Sequence, residues 1–174
     1  MQHTIVTLVE NKPGVLNRVT MLFRRSSFNI ESLTVGHTED PNVSRMTITV
    51  NTTEENAKRL IAYLYKLVNV IQVSDMTNAN TITRSLAMIK VSANDQKRSE
   101  IMQLVDIYRA RIVDVGSESL VVEITGTEDK IESLVDVMRP FGIIEMVRTG
   151  KIAMERGSKS LAHGPVQPSA AASA

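Results

Sequence analysis

The chain has 174 residues, 43% of them hydrophobic, enough for one ordinary domain or two small ones. Twenty basic against 19 acidic side chains leave a net charge of +1, with 8 against 7 over residues 1–77 and 12 against 12 over 78–174. That balance argues against a nucleic-acid surface and a basic membrane-binding element, and the absence of cysteine excludes disulfides, thiolate metal sites and thiol nucleophiles.

In chain order, "HTIVTLV" is rich in β-branched residues and predicts a strand. Val15, Leu16, Val19, Leu22 and Phe23 then form one stripe of a helix. "FNIESLTVGHT" and "VSRMTITVN" predict two strands joined by the turn residues Glu-Asp-Pro-Asn. A Thr-x-x-Glu capping signal opens a helix with Leu60, Ile61, Leu64 and Leu67 on one face, and "VIQVSDM" closes as a strand. The order βαββαβ then repeats. Residues 84–93 form a strand, Asn94 and Asp95 begin a helix, Gly116-Ser117 turns a hairpin, "TEDKIESLVDVMRPFG" is the last helix and "IIEMVRTG" the last strand.

The expected fold class is therefore α+β, with two tandem ferredoxin-like βαββαβ domains. Each has an antiparallel four-stranded sheet with its helices on one face. The expected boundaries are 1–77 and 78–158, with the Asn- and Thr-rich Thr77–Thr83 stretch as the joint and 159–174 a flexible Gly-, Ser-, Pro- and Ala-rich tail. Open sheet faces and edges predict self-association.

The joint "NKPG" is the first candidate site. Pro13 suits the first helical position, which places Lys12 at the N-cap, and lysine has no acceptor for the first-turn amides. The amides of Gly14, Val15 and Leu16 are then free donors at the positive end of a helix, where a carboxylate or phosphate fits. Taken alone, these residues are also ordinary turn chemistry. Asn11 and Asn29 add amide groups able to accept from an ammonium, and with small apolar neighbours they describe a pocket for a free aliphatic amino acid.

The run "ENKPGVLNRVTMLFRRSSFNIESLTVGHTEDPNVSRMTI" closely resembles the ACT domain of the regulatory small subunit of acetolactate synthase, also called acetohydroxyacid synthase. The resemblance extends to about residue 158. It implies an ACT and an ACT-like domain, a homodimer and no catalysis by this chain. The implied partner is a large catalytic subunit carrying thiamine diphosphate, Mg and FAD, with no cofactor on this chain itself. It also implies activation of that subunit and feedback inhibition by valine in branched-chain amino acid biosynthesis. The effector site is expected between two chains, with Asn11, Gly14 and Val15 of one facing Asn29 and Ile30 of the other.

Other features read as structural. Arg24-Arg25 complement a helix C-terminus, Glu31 and Arg45 are placed to pair across neighbouring strands, and His37, Glu39 and Asp40 form a solvated hairpin tip rather than a metal site. Tyr63, Tyr65 and Tyr108 are expected to pack on helices, and Met46, Met88, Met102 and Met138 to fill cores. No Ser–His–Asp ordering, paired catalytic acids or phosphate-cradling loop is present. The absence of a long apolar run or a leader-like start points to a soluble, cytoplasmic protein. The rival reading is a free-standing amino-acid sensor without an acetolactate synthase partner.

Overall fold

A computed structural model describes residues 1–158 and 161. In chain order the elements are β1 (Gln2–Glu10), α1 (Val15–Arg25), β2 (Ile30–His37), β3 (Val43–Asn51), α2 (Glu54–Leu64), β4 (Val70–Asp75) and β5 (Thr81–Ser92). They continue with α3 (Asp95–Ile107), β6 (Arg111–Val115), β7 (Ser119–Gly126), α4 (Glu128–Met138), a short 3-10 turn, β8 (Ile143–Arg148) and β9 (Ile152–Glu155). The chain divides into two compact units, 1–82 with the residues from Lys151 onward, and 83–150.

The first unit has the strand order β2-β3-β1-β4, all antiparallel. Inward residues Ile5, Met46, Ile48 and Val50 meet Val15, Val19 and Phe23 of α1 and Leu60 and Leu64 of α2, so both helices lie on one face. Thr53, rather than the Thr52 of the Thr-x-x-Glu signal, caps α2 by accepting from Asn56 N. Tyr65 packs on this core, and its hydroxyl donates to Val73 O at 2.8 Å.

β1 does not alternate, since every residue from His3 to Val9 is buried. Its other face is covered too. Val6 and Leu8 pack with Met76, Ala153 and Leu161, while Arg45 Nη2 donates to Ala153 O (2.6 Å) and Lys151 N to Ser32 Oγ (3.2 Å). The outer face that periodicity left open is thus occupied by β9. These same bonds correct the expected Glu31–Arg45 pair. Arg45 lies opposite Gly36, and Glu31 accepts instead from Asn29 Nδ2 at 3.0 Å.

Residues 151–158, expected within the second domain, group instead with the first unit, and β5 begins at Thr81, inside the segment read as a joint. A four-residue strand shows no period, and its hydrogen bonds reach partners more than 100 residues away. The tail expected over 159–174 lies, Leu161 apart, outside the described residues.

The second unit repeats the order, β6-β7-β5-β8, and β9 also pairs with β5. Ala87, Ile89, Val91, Leu120, Val122 and Ile124 meet Ile101 and Val105 of α3 and Ile131, Leu134, Val135 and Met138 of α4. Met46 and Met138 are core residues, but Met88 (40% exposed) and Met102 (49%) are not. Met88 stands on the alternate register of β5 between the inward Ala87 and Ile89, which carries it to the face away from the helices. Among the described residues no helix is long and apolar enough to cross a membrane.

Candidate functional site

The loop from Glu10 to Val15 is built around a type II turn. Gly14 has φ +83° and ψ −7°, and Val15 N donates to Lys12 O at 3.3 Å, which puts Pro13 at the second turn position and Gly14 at the third. The expected arrangement, with Pro13 as the first helical residue and Lys12 as N-cap, is therefore corrected. Gly14 is the N-cap and the helix starts at Val15. The physical reason is the positive φ, which glycine reaches without the steric cost a Cβ brings.

What survives of the anion reading is the uncapped helix. No side chain caps α1, and no acidic residue stands in its first turn. Val15 contributes as an anchor, since its side chain is buried in the core and its amide is used by the turn. The amides of Gly14 and Leu16 find no acceptor among the described residues. Among the described residues, apart from the flanking Pro13 and Val15, no atom lies within 4 Å of where a Gly14 Cβ would sit, so the approach is open.

Neighbouring elements hold this loop in place. Asn11 N donates to Asn42 O (2.7 Å), and its Nδ2 donates to Pro41 O (2.9 Å) and lies 3.3 Å from His37 Nδ1. Asn11 Oδ1 has no hydrogen-bond donor among the described residues. On the other side, Asn69 Nδ2 donates to Glu10 Oε2 and Arg18 Nη1 to Asn69 Oδ1, both at 2.5 Å. The Asn69 hydrogen bond, followed by Lys12 Nζ at 3.2 Å, holds the Glu10 carboxyl below its usual range. Glu10, Asn69 and Arg18 were not singled out from the sequence. Their link spans 51 to 59 residues, and no local pattern marks it.

Asn29 and Ile30 lie elsewhere. Ile30 stands opposite Val50 on β3, whereas Glu10, next to Asn11, stands opposite Val43. Seven residues of strand separate the two positions, roughly 23 Å. A single chain thus keeps the two halves of the expected site apart, at opposite ends of the edge strand β2. Asn29 Oδ1 is left as an acceptor, because its Nδ2 is engaged by Glu31.

The second unit treats its corresponding joint differently. Asn94 caps α3 by accepting from Lys97 N at 3.1 Å. Arg98 Nη2 donates to Gly116 O (2.9 Å) and Ser117 O (2.8 Å), tying the helix start to the β6–β7 turn. Unlike α1, α3 thus has a side-chain cap at its start.

Comparison with known proteins places both units. Residues 5–72 match the model of the AHAS small subunit-like ACT domain, and residues 84–157 match that of the small subunit of acetolactate synthase. The chain belongs to the acetolactate synthase small-subunit family. It is 53% identical over 159 residues to a probable acetolactate synthase small subunit of Archaeoglobus fulgidus, covering 91% of this chain and 99% of that one. To the acetolactate synthase small subunit of Mycolicibacterium smegmatis it is 44% identical over 159 residues, 91% of this chain and 94% of the relative. The crystal structure of the Thermotoga maritima acetolactate synthase small subunit superposes with a TM-score of 0.85 at 38% identity, covering 91% of this chain and 99% of that one. The ferredoxin-like ACT-type architecture of this small-subunit family is the one described above.

Proposed function

We propose that this chain is the regulatory subunit of an acetolactate synthase. It is not itself catalytic, binds and activates the thiamine-diphosphate-dependent catalytic subunit, and confers feedback inhibition by valine. Thiamine diphosphate, Mg and FAD belong, in this reading, to the catalytic subunit.

The observation that carries the effector reading is the position of the two half-sites on an open edge. Among the described residues β2 pairs only with β3, so its other side presents unpaired backbone groups. Antiparallel pairing of β2 with β2 of a second copy places the Ile30 end of one protomer beside the His37 end of the other. Because Asn11 sits against His37, Asn29 and Ile30 of one protomer then face Asn11 and Gly14 of its partner. This homodimer completes a site that one chain leaves in halves.

The chemistry suits a free aliphatic amino acid. The Gly14 and Leu16 amides at the start of α1 receive the carboxylate, the Asn11 and Asn29 oxygens accept from the ammonium, and Ile30 meets the side chain. Valine, leucine and isoleucine differ by about one methylene, worth roughly 1 kcal/mol, so the preference for valine comes from the family. A ligand bridging two chains stabilises the arrangement in which both halves meet. Inhibition follows if that arrangement couples differently to the catalytic subunit.

The test is co-purification with an acetolactate synthase catalytic subunit and assay with and without valine. Wild type is expected to activate the subunit and to make it valine-sensitive. Gly14→Asp, which sets a carboxylate against the ligand's own, abolishes valine binding, and Asn29→Ala weakens it while the dimer persists. A chain that neither binds nor activates the subunit refutes the regulatory reading, and unchanged valine affinity in Gly14→Asp refutes the site.

A further inference from the structure

The first unit carries a concave surface between its helices that reaches from Arg18, which braces the Gly14 loop, to Asn29 of the proposed effector site. A groove of about 970 Å³ runs between α1 and α2, lined by Met21, Tyr63 and Asn29 together with Arg18, Arg25, Arg59 and Lys66. No carboxylate lines it. Residues 1–77 hold 8 basic and 7 acidic side chains, so half of the basic residues and none of the acidic ones line one groove.

Among the described residues no carboxylate pairs with the four cations. Several cations elsewhere sit on carboxylates, among them Lys12 on Glu10, Lys58 on Glu54, Lys90 on Glu145 and Arg148 on Glu132. Arg84 and Arg111, like the groove residues, make no ion pair among the described residues, but they are not gathered in this cleft. Arg18 instead meets the neutral Asn69, and Lys66 lies 5.4 Å from the centroid of the Tyr63 ring. Among the described residues Arg25 and Arg59 make no ion pair. Like charges gathered in one cleft raise its potential and attract an oppositely charged partner.

We infer that this groove receives an acidic segment of the catalytic subunit, with carboxylates on the four cations and an apolar side chain against Met21 and Tyr63. The inference rests on the proposed regulatory role, which supplies the partner. The match is one of charge. The groove offers four positive groups beside the Met21 side chain and the Tyr63 ring, contacts that a fully hydrated anion does not need. Such complementarity acts mainly on the association rate and its salt dependence.

The test uses the full chain and an intact catalytic subunit, with binding kinetics followed at low and high salt. The double variant Arg25→Glu with Arg59→Glu is compared with Arg84→Glu with Arg111→Glu, an equal charge change in the second unit. The groove variant is expected to bind at least about tenfold more weakly, ~1.4 kcal/mol, through slower association and with a shallower salt dependence. The circular dichroism spectrum should stay unchanged, and the control pair close to wild type. If wild type binds and the groove variant matches it, the inference is overturned while the regulatory role stands. An equal loss in the control pair overturns it as a net-charge effect. If inorganic triphosphate binds the groove without altering subunit affinity, the groove is a small-anion site and the inference falls. A wild-type chain that does not bind the subunit refutes both readings.

Discussion

Gly14 permits a clean separation of backbone strain from packing. Its φ of +83° lies in the left-handed region, where an L-residue costs roughly 1–2 kcal/mol. Replacing glycine by alanine also restricts the unfolded chain, which returns about 0.4–1 kcal/mol. Among the described residues, apart from the flanking Pro13 and Val15, nothing lies within 4 Å of the new Cβ, so neither a clash nor burial enters. The net expectation for Gly14→Ala is a destabilisation of about 1 kcal/mol. Gly14→Asn should lose less, because asparagine visits this region more readily. Gly36→Ala is the control, since its Cβ also meets nothing within 4 Å but its φ is not positive. The chain has no tryptophan, so urea unfolding is followed by far-ultraviolet circular dichroism. With m of about 1–3 kcal/mol per M, the Gly14→Ala midpoint should fall by roughly 0.3–1 M. The change should appear in the transition of the first unit. An unchanged Gly14→Ala midpoint, or an equal loss in Gly36→Ala, refutes the turn argument.

Two further outcomes test local electrostatics and capping. The Glu10 carboxyl is held low by Asn69 and then Lys12, so its contribution is present above the unfolded value of about 4.3 and is lost as pH falls through the lower folded value. The Asn69 side-chain amide signal should therefore titrate with a midpoint below about 4.3, and should be flat in Glu10→Gln. A midpoint at or above the ordinary value contradicts the bond. In the second unit, Asn94→Ala should cost about 1 kcal/mol in urea unfolding, because its side chain accepts from Lys97 N. Thr127→Ala should cost less, since Thr127 makes no side-chain capping bond. Equal losses would refute the cap.

The legible part of the sequence was whatever its periodicity and turn chemistry determine locally. Leu60 and Leu64 on one face, Val15, Val19 and Phe23 of the α1 stripe and the Asn94 cap stand where periodicity and capping chemistry put them, whereas Leu16 of that stripe is exposed. Pro13-Gly14 was recognised as a special joint but assigned the wrong turn, because both geometries favour the same dipeptide and only φ at Gly14 separates them. The brace from Arg18 through Asn69 to Glu10, the seat of Arg45 on Ala153 and the exposure of Met88 depend on register between distant strands. Composition hid the basic groove as well. A balanced count of charges says nothing of their separation in space, and Arg18, Arg25, Arg59 and Lys66 gather only once α1 and α2 are docked.

The return of β9 to the first unit also bears on how the protein is made. Residues 1–82 leave the ribosome first, yet Ala153, the partner of Val6, Leu8 and Arg45, is synthesised about 70 residues later. At ~5–20 residues per second the face bearing Val6 and Leu8 waits roughly 4–14 s for its cover. During that interval the nascent chain presents an apolar sheet surface next to the unpaired edge of β2. A premature stop near Gly150 would make that transient state permanent, so truncated chains should aggregate more readily than their lost length suggests.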